Sequence, residues 1–155
     1  MTRCLFLSAL ASISLIVSPT ASSAASTSPL AAREMLEAAI LAVKGDKDLA
    51  LAMFNNKDNT VFRQGELYVF CADAQGRIVA HGLPTLVGKD FNALRDKTGK
   101  DFGRQMLATA TEGELTFTGY YLPRPNSPDE VYREDYFTKV RDLTCGAGYY
   151  TTKTE

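Results

Sequence analysis

The spacing of apolar residues divides this chain into helical and extended stretches. Ser28-Pro29 predicts a helix start, with a Ser cap and Pro at the first helical position. Leu36, Ala39, Ile40 and Val43 then recur at helical spacing, and Gly45 ends the helix. Asp46 caps a second helix that carries Leu49, Met53 and Phe54, and Asn55 to Asn59 is a polar turn cluster. Strands follow. Leu67 to Ala72 is apolar and rich in aromatics, Asp73-Ala74-Gln75-Gly76 is turn chemistry, and Arg77 to His81 is the return strand. Gly82 to Arg95 reads as a connector with a helical turn near Asp90, and Asp96-Lys97-Thr98-Gly99 as a further turn. Asp101 caps a helix through Ala110, with Phe102, Met106 and Leu107 inward. From 115 to 122 the chain alternates. Leu115, Phe117, Gly119 and Tyr121 share one face, and Thr116, Thr118 and Tyr120 the other. Pro123 to Pro128 is a loop, Val131 to Val140 a strand, and Leu143 to Thr151 a last short one. Helices and strands in segregated runs predict an α+β domain with an antiparallel sheet.

The start of the chain has a different character. Arg3 precedes an apolar run from Leu5 to Val17, Pro19 breaks it, and Ser22-Ser23-Ala24 offers small residues for cleavage. This is the pattern of a secretory signal peptide over 1–24, and the run is too short for a spanning helix. Export implies a periplasmic or secreted protein with no membrane span after cleavage. A flexible segment over 25–32, one domain over 33–151 and a tail over 152–155 complete the organisation. Cleavage also removes Cys4. The remaining pair, Cys71 and Cys145, reads as a disulfide under oxidising conditions, with two buried thiols as the alternative.

Composition excludes some functions. The 155 residues are 45% hydrophobic and 23% charged, as in a globular domain, and the net charge of -1 lacks the basic footprint of a nucleic-acid binder. No G-x-S-x-G is present, and a single histidine cannot build a typical zinc site. The acidic residues from Asp96 to Asp101 lack the 12-residue calcium-loop pattern. Only a Cys71–His81 thiolate pair offers a route to catalysis, and the disulfide would remove the thiol. Neither an enzyme nor a cofactor is expected.

A longer pattern carries more information. Tyr68-Val-Phe, Asp73-Ala-Gln-Gly76, Ala80-His81 and Leu86-Val-Gly88-Lys89-Asp90 occur in order. Arg95-Asp-Lys-Thr-Gly99-Lys-Asp-Phe102, Gly113, Tyr120-Tyr121, Arg133-Glu-Asp-Tyr136 and Gly146-Ala-Gly148-Tyr149 follow. From Arg33 to Tyr150 this resembles the single Cache domain family, PAS-like extracytoplasmic sensor modules. Three positions depart from the family pattern: Gly82 stands where Pro is usual, Arg133 where Lys is usual, and Cys145 where an aliphatic or aromatic residue is usual. The resemblance implies a five-stranded antiparallel sheet with a long N-terminal helix on one face and a helical connector. It implies a small ligand, often a short carboxylate, between the other face and the connector. It also places the first and last main strands side by side, which would bring Cys71 to Cys145.

The expected ligand-binding residues are Tyr68, Phe70, His81, Tyr121, Arg133, Tyr136, Gly146 and Gly148. Each has a plainer alternative. His81 is a pocket donor titrating near its ordinary pKa of about 6.5, or a partly solvated strand-end residue. Arg133 binds a carboxylate bidentately, or forms a surface pair with Glu134 and Asp135. Tyr121 and Tyr136 offer a polar tip on an apolar body. Gly146 and Gly148 leave a gap beside the Tyr68 face, or mark a bulge. The functional expectation is a sensor that binds a small organic acid and signals through a membrane kinase or receptor. The alternatives are an interaction module with a vestigial pocket, or a small periplasmic enzyme.

Overall fold

Ser28 starts the first helix as its sequence predicts, with its hydroxyl accepting the Ala31 N–H at 3.1 Å. The computed structural model describes residues 28–125 and 127–151. The expected signal peptide and C-terminal tail lie outside the described residues. Helix α1 spans Pro29–Gly45 and buries Ala32, Met35, Leu36, Ala39 and Val43 along one face. Helix α2, Lys47–Asn55, begins at Asp46, whose carboxylate accepts the Leu49 N–H.

The strands are β1 (Arg63–Gln64), β2 (Leu67–Asp73), β3 (Ile78–Ala80), β4 (Thr116–Pro123), β5 (Glu130–Val140) and β6 (Leu143–Tyr150). They form one antiparallel sheet in the order β1-β2-β6-β5-β4, with β3 also paired to β2. The α+β architecture follows the expectation. The sheet gains one short strand, β1, which the residue pattern does not announce because only two residues pair. Between β3 and β4 the connector makes two 3₁₀ turns, Pro84–Leu86 and Phe91–Ala93, and then helix α3, Phe102–Thr109.

Strand alternation gives the sheet two cores. Leu67, Val69, Cys71, Cys145 and Ala147 pack against α1 and α2. Phe70, Ala72, Phe137, Tyr120 and Tyr150 face the connector and α3, where they meet Phe91, Phe102 and Met106. Cys71 and Cys145 are direct partners of β2 and β6, joined as a disulfide with Cα atoms 4.1 Å apart and wholly buried on the helix side.

Two acids of the connector behave differently from a simple reading. Asp101 sits at the N-cap of α3 but makes no side-chain cap bond; its carboxylate is taken by Arg95 instead. Asp96 is buried. Its Oδ1 accepts from Thr98 N, Thr98 Oγ1 and Lys100 N, and its Oδ2 accepts the Tyr121 N–H of β4 at 3.1 Å. Lys100 Nζ donates to Gly119 O and Thr118 Oγ1 of the same strand. The connector is thereby tied to β4.

Candidate functional site

The connector-side face holds charge in its interior. Arg133 and Asp135 lie two apart on β5, so both point to this face, and both are fully buried. Arg133 Nε donates to Asp135 Oδ1 at 3.0 Å, and Nη1 reaches Glu66 O at 3.3 Å. Asp135 also accepts the Tyr120 hydroxyl in a short hydrogen bond. The guanidinium lies 4.2 Å from the centre of the Tyr68 ring and 4.9 Å from that of Tyr150. Aromatic faces of this kind stabilise a desolvated cation. Burial opposes the Arg133 charge, but Asp135 and the surrounding phenols outweigh it and its pKa is raised. Burial likewise pushes the Asp135 carboxyl up, with Arg133 and Tyr120 acting the other way.

This cluster is incomplete as a hydrogen-bond network. Arg133 Nη2 and the Tyr68 hydroxyl are both buried without a well-formed hydrogen bond, and the Tyr150 hydroxyl interacts with both side chains. Leaving such groups unsatisfied costs about 1–3 kcal/mol each, and more when charged. Two unmatched donors beside one another have the chemistry of an anion or carbonyl receptor.

His81 stands next to them. Its ring lies 5.2 Å from Tyr68 and 6.0 Å from Phe70. The Leu83 N–H donates to Nδ1 at 2.8 Å, which leaves the ring proton on Nε2. His81 is 4% exposed, and burial, followed by the charges of Arg133 and Arg63, lowers its pKa to about 3. Both expectations for this residue are corrected: it is neither solvated nor poised near neutrality, and its neutral ring carries the proton on Nε2.

The two glycines of β6 do face Tyr68 and Phe70, through the pairs Tyr68–Gly148 and Phe70–Gly146. Strand pairing runs through both without a bulge. The expected gap beside them is filled by the chain itself. A Cβ on Gly146 would overlap the Phe70 ring, and one on Gly148 would overlap the Asp135 carboxylate. Gly82 plays the same part under the Tyr68 ring. These glycines make room for aromatic and charged side chains inside the fold.

The pleat divides the expected set. Tyr68, Phe70, His81, Arg133, Gly146 and Gly148 come together on the connector side. Tyr136 projects from the helix-side face, 5.4 Å from Phe117. Tyr121 pairs with Tyr132 across β4 and β5, on the side opposite Tyr120, with the Lys97 ammonium 4.1 Å above its ring, and it also lines the cleft between the connector and β4. Sequence reasoning did not single out Asp135, Tyr120 or Tyr150. The signal available was the spacing Arg133-x-Asp135, which puts opposite charges on one strand face.

Beside this cluster runs a cleft of about 300 Å³ between the connector and the end of β4. Leu83, Leu86, Leu94, Phe102, Leu122 and Pro123 form its apolar wall. The cleft touches the buried cluster at several points. Leu83 bonds His81, Phe102 stacks on Tyr120 with ring centres 3.9 Å apart, and Pro123 O accepts the Tyr150 hydroxyl at 2.6 Å. Among the described residues no cluster of His, Cys, Asp and Glu could hold a metal, and no helix is long and apolar enough to cross a membrane. With Cys71 oxidised, the Cys71–His81 thiolate pair is not available.

Known proteins share this architecture. A crystal structure of a methyl-accepting chemotaxis protein from Vibrio parahaemolyticus RIMD 2210633 is 19% identical, covering 77% of this chain and 85% of that one, with a TM-score of 0.63. The periplasmic sensor domain of a chemotaxis protein is 23% identical over 79% of this chain and 89% of that one, at 0.59. A Cache chemosensory domain solved for carboxylic acid recognition is 18% identical over 77% and 80%, at 0.56. No curated protein sequence is detectably similar. A family model described as the Cache domain matches residues 52–150. The chain therefore belongs to the Cache domain family.

Proposed function

We propose that this protein is an exported sensor module that binds a small organic acid on its connector-side face and passes occupancy to a membrane receptor or kinase. The observation that carries this reading is a pair of buried donors without a well-formed hydrogen bond, Arg133 Nη2 and the Tyr68 hydroxyl, beside the Tyr150 hydroxyl. A carboxylate oxygen accepts from both, and His81 Nε2 supplies a third donor. Charge-assisted hydrogen bonds of this kind contribute about 1.5–3 kcal/mol each. The likeness to a domain solved for carboxylic acid recognition supports the same chemistry. Signalling follows if the acid binds one packing of sheet and connector more tightly than another.

Isothermal titration with monocarboxylates of two to four carbons tests the reading. At least one should bind, and Arg133→Met should weaken it about 10–100-fold, the equivalent of the lost hydrogen bonds. Unchanged affinity in that variant sinks the assignment. A second reading, an interaction module with a vestigial pocket, is favoured by one observation: Phe70 and Asp135 already fill the space over Gly146 and Gly148. It predicts no thermal stabilisation by any acid in the panel.

A further inference from the structure

The outer edge of β4 is closed along part of its length. Asp96 takes the Tyr121 N–H and Lys100 the Gly119 carbonyl, so the odd-numbered residues of β4 turn their backbone groups away from β5. Leu115 and Phe117 continue that series. Among the described residues no hydrogen bond from another element reaches the backbone of either. Phe117 is 49% exposed on the helix-side face. Beside Leu115, a groove of about 310 Å³ opens between α1 and the sheet, with Ile40, Gly113 and Thr138 among its lining. An unclosed strand edge, an exposed ring and an open groove thus lie in a row. The charges on the other face of β4 have the same character. Lys100 Nζ donates to Thr118 Oγ1 and Gly119 O, and no carboxylate pairs with it among the described residues. Glu114 is exposed and meets no cation among those residues.

We propose that this edge pairs with the same edge of a second copy, antiparallel about a two-fold axis at Thr116. In that register the Phe117 N–H donates to Leu115 O of the second copy, the Leu115 N–H donates to its Phe117 O, and the symmetry repeats both bonds. Residues directly opposite in an antiparallel pair share a face. Phe117 therefore stands beside Leu115 of the second copy, at the mouth of its groove. Glu114 stands opposite Thr118 of the second copy, next to the Lys100 ammonium. Every contact occurs twice, as an isologous interface requires. The turn at Gly113, with φ 84°, ends the pairing on one side, and the Asp96 and Lys100 ties end it on the other. Pairing at this edge therefore closes as a dimer and joins two six-stranded sheets into one.

The test is analytical ultracentrifugation of the protein from low micromolar to near-millimolar concentration. A monomer–dimer equilibrium should appear, and Phe117→Asp should weaken it about tenfold or more with little change in melting temperature. Glu114→Lys and Lys100→Glu should each weaken self-association, because each sets like charges together twice. Mixing those two variants restores both opposite-charge contacts, so a dimer should re-form from proteins that fail separately. Should Lys100→Glu misfold, as a melting curve would reveal, Thr116→Cys decides in its place. It lies on the axis at a non-hydrogen-bonded pair, where Cα atoms about 4.5 Å apart permit a disulfide. Oxidation should yield a covalent dimer, and adding Phe117→Asp should suppress it. A protein that stays monomeric at every concentration overturns the proposal. So does a dimer indifferent to Phe117→Asp, or a mixture of the two folded charge variants that does not associate.

Discussion

The two faces of the sheet are built to opposite rules. On the helix side, aliphatic residues, alanines and a disulfide meet α1 and α2, with Tyr149 hydrogen-bonded to Glu134 among the few polar side chains there. On the connector side, an arginine, an aspartate, three tyrosines and a neutral histidine share the interior with phenylalanines. The first arrangement is what apolar burial alone would select. The second contains a buried ion pair, which a well-packed apolar core would often match or better in stability. The difference teaches that apolar burial and buried charge are assigned to different sides of one layer of strands, a division strand alternation makes available.

Breaking the helix side should cost the most stability and the least binding. Reduction of Cys71–Cys145 reopens a loop of 74 positions. Chain entropy puts this at roughly 4 kcal/mol, a fall in melting temperature of more than about 10 °C. Ligand affinity should be unchanged in whatever fraction remains folded; a tenfold loss would mean that the faces are coupled. Breaking the connector side should do the reverse. Arg133→Met leaves Asp135 buried without its cation. The carboxyl can take a proton, since burial already pushes it up, so the cost falls to about 3 kcal/mol, the low end for a severed buried pair. Adding Asp135→Leu should recover most of that stability in denaturant titrations but none of the binding. Recovery of both would remove Arg133 from the site.

His81 gives the smallest effect, and one that depends on pH. In the unfolded chain the ring takes a proton below about pH 6.5. In the fold it does so only near 3. Between those values the unfolded state binds more protons, so stability rises with pH and falls on acidification. The slope is about 1.4 kcal/mol per pH unit. His81→Gln should remove that slope between pH 5 and 6.5, where most carboxylates remain ionised. Parallel stability curves for the two proteins over that window would show that His81 is not held neutral.

Much of the architecture is legible in the residues because it follows local rules. Ser28 and Asp46 cap helices where capping chemistry predicts, and strand alternation from 115 to 122 sorts the two faces of β4 correctly. What alternation cannot say is which face turns toward the connector. That depends on register with β5, where Arg133 pairs with Tyr120 and Tyr132 with Tyr121. Asp135 was hidden for a related reason. Three consecutive charged or polar positions, Arg133, Glu134 and Asp135, look like a solvated run until the sheet places two of them inside. Asp101 shows a local rule overridden, since a nearby guanidinium takes its carboxylate from the helix terminus.

The tie between connector and β4 has a consequence for how this protein lives among others. β4 is the outer strand of its side of the sheet, and an outer strand offers unpaired backbone donors and acceptors to any passing extended chain. Asp96 occupies the Tyr121 N–H, and Lys100 occupies the Gly119 carbonyl. Two charged side chains thus stand where a neighbouring molecule's strand would pair. The segment that roofs the charged face of the sheet is also the guard against edge-to-edge aggregation, so a connector that lifted away entirely would expose a sticky edge along with the buried ion pair.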